Sequence, residues 1–179
     1  MIGEQIMNKT KKLVLSAMFL AIGIVLPFLA AQIKEIGDSL LPMHFVVMLC
    51  GLICGWKYGA IVGLILPIIR GAFFNMPPLY PNAIWMALEI GTYGFVSGYV
   101  YSKLIVHKIW RVIISLISSM IAGRIVWGIA KTVLLGISGK SFALKMFITQ
   151  GFVDAVPGII LQIVLIPTII FIIESASKK

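Results

Sequence analysis

Apolar residues in this chain do not alternate with polar ones; they come in long runs separated by short polar or proline-rich breaks. The runs cover 13–31, 41–55, 59–74, 82–101, 112–135 and 145–173. A helix that crosses a bilayer needs about 20 apolar residues, so the chain has room for six crossings joined by short loops. Backbone groups in lipid must be satisfied within their own segment, and the alternation a barrel requires is missing. The pattern therefore predicts one all-α integral membrane domain over 1–179, a bundle of six transmembrane helices. The run at 41–55 is short for a full crossing and is expected to start inside the protein, with Pro42 and His44 in a buried first turn.

The chain is organised around LPMHFVVMLCGLICGWKYGAIVGLILPIIRGAFFNMPP, residues 41–78, in which two apolar segments fold back on each other around Trp56, Lys57 and Tyr58. Gly51, Gly55, Gly59 and Gly63 recur every four residues there. On a helix that spacing lines up a face that lets another backbone come close. Ala17 and Ala21 form a similar small pair in the first run, ahead of Pro27, which is expected to kink the helix or to mark its outer end. The prolines of NMPPLYP, 75–81, stop any helix and make a stiff, uncharged loop. That loop and 32–39 are the expected lid.

Composition supports the membrane reading, with 60% of 179 residues hydrophobic and 12% charged and a mean hydropathy of +1.08. Soluble domains are roughly one-quarter charged. The net charge of +9 sits mainly at span ends, so it sets orientation and implies no nucleic-acid partner. With an inner N-terminus, the inner face receives Lys9, Lys11, Lys12, Lys57, Lys103, Lys108, Arg111, Lys178 and Lys179. The outer face receives Lys34, Lys140 and Lys145, so both termini are expected to be cytoplasmic. Cys50 and Cys54 read as small packing residues, and His44 as a hydrogen-bonded packing residue. No metal or cofactor is expected. GISGKS, 136–141, has the look of a phosphate loop but lacks the first glycine and a preceding strand, so the chain is not expected to hydrolyse nucleotide.

Five ionisable residues fall inside apolar runs: Arg70, Glu89, Arg124, Lys131 and Asp154. At about 1.5 Å of rise per residue all five lie in the outer half or at the midplane. A transmembrane pathway would carry polar groups along its length, whereas a site open to one side needs them at one end. The expectation is an outward-facing pocket over an apolar floor. Arg124 and Lys131 are seven apart on one face around Trp127; Trp85, Glu89 and Tyr93 follow one another every four residues, as do Gln150 and Asp154. The candidate substrate-binding residues are thus Arg70, Trp85, Glu89, Arg124, Trp127, Lys131, Gln150 and Asp154. If these groups served only as helix glue, the expected pairs would be Arg70 with Glu89 and Arg124 with Asp154. No paired catalytic set is present, so an enzyme is not expected. A self-contained secondary transporter or channel is the alternative, and it would need coupling groups in the inner half.

The basic N-terminus with Ala17-x-x-x-Ala21, the LPMH…CGLICGWKYG…P…R…F…MPP core, GRIVWG in the fifth run and DAVPGIILQ after it resemble the substrate-binding S components of energy-coupling factor (ECF) vitamin transporters. The resemblance implies a multi-pass protein of a prokaryotic cell membrane that binds a vitamin or related micronutrient. It implies docking on a transmembrane coupling protein powered by two ATPases, with Ala17 and Ala21 on the docking face. A carboxylated ligand such as pantothenate suits the basic excess of the embedded charges.

Overall fold

A computed structural model of the chain describes residues 7–32, 40–137 and 147–177. Among these, all regular structure is helical: α1 (Lys9–Ala30), α2 (Pro42–Cys54), α3 (Trp56–Phe74), α4 (Ile84–Lys103), α5 (Lys108–Ile137) and α6 (Val156–Ser177). Four of the six, α1, α3, α5 and Val156–Ile173 of α6, are long and apolar enough to cross a membrane. α4 has the length, 20 residues, but Glu89 and its glycines and tyrosines dilute its hydropathy. α2 has 13 residues, about 20 Å of rise against a hydrocarbon core of about 30 Å.

That short helix is also the most enclosed. Val46, Val47, Met48, Cys50 and Cys54 are each at most 1% exposed, and Pro42 stands at the start of the helix as expected. The helix ends at Gly55, whose φ of +102° is open to glycine and strained for other residues. A single residue thus makes the turn, and α3 begins directly at Trp56, three positions earlier than the run at 59–74.

Because Gly55 breaks the helix, the glycines of the repeat do not share one helical face: Gly51 on α2 and Gly59 and Gly63 on α3 approach from two, while a Cβ on Gly55 would meet nothing within 4 Å. A Cβ on Gly59 would lie 2.6 Å from Cα of Gly51 and 2.6 Å from the carbonyl oxygen of Gly94. One on Gly63 would meet the backbone of Ile90 and Gly91, and one on Gly98 the backbone of Gly51 and Trp56. Glycines from α2, α3 and α4 therefore face one another, and the three backbones pack closer than any side chain would allow. This knot holds the organising stretch against α4.

Pro27 leaves α1 continuous to Ala30. Proline removes the hydrogen bond to the carbonyl four residues earlier, that of Gly23. One residue on, the carbonyl of Ile24 accepts a hydrogen bond from Nη1 of Arg70. The Arg70 guanidinium also covers the ring of Phe28 at 4.6 Å, and Phe28 meets Phe74 edge-on at 5.0 Å. Arg70 thus fastens the end of α3 to α1.

Two breaks shape the second half. Asn75 caps α3 with φ +52°, and a tight turn over Leu79–Ala83, with Tyr80 extended inside it, leads into α4. Part of NMPPLYP is thus already coiled. The run at 145–173 is likewise not one helix among the described residues: a turn at Thr149–Val153 and a bend at Asp154 precede α6. Pro157, in the first turn of α6, disfavours helical backbone just before it. Of the expected lid, 33–39 lies outside the described residues, as do 138–146, which include most of GISGKS.

Candidate functional site

α4 and α5 run antiparallel, and α4 carries a buried row, Trp85, Glu89, Tyr93, Ser97 and Tyr101, every fourth residue, of which Trp85, Glu89, Tyr93 and Tyr101 meet α5 and Ser97 lies against Gly51 of α2. Across from the row α5 places Arg124 and Gly123, then Trp127 and Lys131 one and two turns on. Gly123 makes room for the ring of Tyr93, which lies where a Cβ would stand. That fit brings Glu89 level with Arg124, and Nη1 of Arg124 donates to Oε1 of Glu89 at 3.0 Å. Both side chains are buried, 6% and 3% exposed.

A third group arrives from α2. Nε2 of His44 stands 3.3 Å from the same Glu89 oxygen, without the alignment of a hydrogen bond, and its ring meets Tyr93 edge-on at 4.9 Å. His44 reaches this depth because α2 starts inside the protein. The packing role expected for it is therefore combined with contact to the buried carboxylate.

Toward the far end of α5, Trp85, Trp127 and Ala130 form an apolar cluster with Met86, Leu134 and Phe147 against it. The Lys131 ammonium lies 5.2 Å from the Trp85 ring centre and 4.6 Å from that of Trp127. Phe147 stacks on the Trp127 indole at 5.9 Å. In the opposite direction along the helices the row gives way to Met48, Leu116, Met120 and Ile166, a buried apolar layer. The serines nearby, Ser115 and Ser119, satisfy their hydroxyls on carbonyls of their own helix at 2.6 and 2.7 Å. The described residues thus show a polar cluster over an apolar floor.

The arrangement brings together Trp85, Glu89, Arg124, Trp127 and Lys131 and leaves others apart. Arg70 is buried, but its partners are on α1. Arg124 pairs with Glu89, so the glue pairs Arg70 with Glu89 and Arg124 with Asp154 are not those formed. Asp154 lies exposed at the bend before α6, and the Gln150 side chain lies outside what is described. Sequence reading missed the contact of His44 with Glu89 and the Phe147 stack. The signal for His44 was the shortness of α2; Phe147, beyond a loop, gave none.

Neither Nε nor Nη2 of Arg124 has an acceptor among the described residues. Leaving a buried donor unmet costs about 1–3 kcal/mol, and more when it is charged. A separate groove of about 550 Å³ lies between the first turn of α5 and the last turns of α6, lined by Lys108, Val112, Ile170 and Phe171 among others. Its nearest α5 residue, Val112, is 12 residues, about 18 Å of rise, from Arg124, and the groove shares no residue with the cluster. At the buried cluster, charge, orphan donors and aromatic side chains coincide. Ala17 and Ala21, by contrast, lie exposed on α1 beside Val14, Met18 and Val25. No group of three or more metal-ligating side chains is present among the described residues.

No curated protein and no solved structure matches the chain. A family model does, over residues 11–171, and its description is ECF transporter, substrate-specific component. With nearly the whole chain covered and a buried polar site set between all-helical walls, the protein belongs to the substrate-specific components of ECF transporters.

Proposed function

We propose that the chain is the high-affinity binding subunit of an ECF importer for a vitamin or related micronutrient, and that its site is the cluster of Trp85, Glu89, Arg124, Trp127 and Lys131. The observation that carries this reading is Arg124, a buried guanidinium with one nitrogen on Glu89 and two without an acceptor among the described residues. A group held only as helix glue would direct its donors to protein partners. In this reading all six helices cross the membrane, α2 and α4 inside the bundle, and both termini are cytoplasmic. The polar end then opens outward in a prokaryotic cell membrane. A carboxylated vitamin such as pantothenate suits the charge.

ATP hydrolysis is supplied by two partner ATPases through a transmembrane coupling protein. The docking face is the exposed apolar side of α1, centred on Ala17 and Ala21, where small residues permit close helix contact. Arg70, held on α1, and Asp154, exposed at the bend before α6, stand outside the cluster.

Ala17→Trp or Ala21→Trp is expected to abolish vitamin uptake in cells that carry the ECF module, while the purified variant still binds ligand. Uptake at the wild-type rate by both variants would contradict the docking assignment. Uptake by the lone chain in vesicles, driven by a proton or sodium gradient, would favour a self-contained transporter instead.

A further inference from the structure

The groove between the first turn of α5 and the last turns of α6 is graded in polarity along its length. His107, Lys108 and Ser175 line one end, and Val112, Ile170 and Pro167 lie one to two turns deeper. Thr168 is also at the deep end, but its hydroxyl donates to the carbonyl of Val164 on its own helix at 2.7 Å and adds little polarity. A volume of about 550 Å³ is ample for part of an amphiphilic molecule.

The grading matches the depth at which the groove lies. α5 has 30 residues, about 45 Å of rise against a hydrocarbon core of about 30 Å, so it projects into the headgroup layer. Its first turn marks such an end: Trp110 is exposed between Lys108 and Arg111, the mixture of indole and cation that anchors a helix at the membrane surface. The groove thus opens at headgroup level and runs down into the hydrocarbon.

The surroundings of the mouth are basic. From 103 to 111 the sequence carries Lys103, Lys108 and Arg111 and no carboxylate, while α6 carries Glu174 and is followed by Lys178 and Lys179. With Glu174 spent on any one of these cations, the balance stays positive. The N–H groups in the first turn of α5 have no carbonyl within the helix to meet and favour an anion at the same place. A neighbouring helix would fill the apolar end and leave the basic end unmatched. A phospholipid with an anionic head matches both.

We propose that this groove binds an anionic phospholipid, with the phosphate at His107, Lys108 and the first turn of α5 and an acyl chain along Val112, Ile170 and Phe171. The site is independent of the Arg124 cluster, with which it shares no residue.

The test titrates the purified full chain in a mild detergent with phosphatidylglycerol, or with phosphatidylcholine of the same acyl chains, and counts bound lipid by native mass spectrometry. Phosphatidylglycerol is expected to be retained at concentrations about tenfold lower than phosphatidylcholine. Lys108→Gln should weaken its binding by about fivefold, the effect of one cation near a membrane surface. Lys57→Gln, an exposed position on α3, should leave it unchanged. Thr168→Trp, at an exposed position that lines the deep end, should block the groove with every charge kept. Glycerol phosphate, a head without chains, should not compete. Equal retention of the two lipids, equal losses in the two lysine variants, retention untouched by Thr168→Trp, or displacement by glycerol phosphate overturns the proposal. Dimers in place of lipid adducts overturn it too and give the groove to a second copy. The mass of the adduct separates it from any water-soluble ligand held at Arg124. The comparison of lipids needs no variant, so a poorly folding substitution does not blunt the result.

Discussion

Arg124 and Glu89 hold each other in place within the bundle, and removing one partner strands the other. Glu89→Ala is expected to destabilise the protein by about 3–5 kcal/mol, because it leaves the Arg124 charge buried and unpaired. Denaturant unfolding in detergent measures this, and a change below about 0.5 kcal/mol, the range of surface substitutions, would show that the pair is not buried. Depth and spacing made Glu89, Arg124, Lys131 and the two tryptophans legible as a set. Which charge meets which was not legible. Arg70 is diverted by a carbonyl beside the one that Pro27 frees on α1, a contact between residues 46 positions apart that periodicity does not carry. His44 joins the cluster through the depth at which α2 begins, which a count of apolar residues only suggests.

At the scale of elements, the glycine contacts among α2, α3 and α4 set how close the cluster's walls can come. Gly59→Leu or Gly94→Leu would force a side chain into a neighbouring backbone, and overpacking of this sort costs roughly 1–3 kcal/mol. Gly136→Leu, placed where a Cβ meets nothing within 4 Å, is expected to be close to neutral and serves as the control. Thermal unfolding of the three variants checks the difference; equal midpoints would contradict the close approach. The four-residue glycine spacing revealed this packing but suggested a single helical face. The turn at Gly55 folds that face onto itself, and the sequence between the runs offered Trp56, Lys57 and Tyr58 as a longer break. The bend at Asp154 was hidden in an uninterrupted apolar run, with Pro157 as its only mark.

For the whole molecule, the account is of a bundle whose polar chemistry gathers at one end while α1 shows an apolar flank. The excess of lysine and arginine at the other end predicts that single cysteines introduced at Lys57 and Lys103, in a background where Cys50 and Cys54 are replaced by Ala, are labelled from the cytoplasmic side alone. Labelling of either from outside would overturn the orientation. Fold class and membrane character were legible from hydropathy because lipid imposes them on every segment. Ligand chemistry was less so, since it depends on which donors the fold leaves unmet. The most direct measurement of the central claim is native mass spectrometry of the chain ejected from nanodiscs after exposure to a bacterial metabolite extract. The account predicts one small-molecule adduct per wild-type chain and none on a folded Arg124→Gln variant. A wild-type chain without an adduct, or an adduct that survives the substitution unchanged, would contradict it.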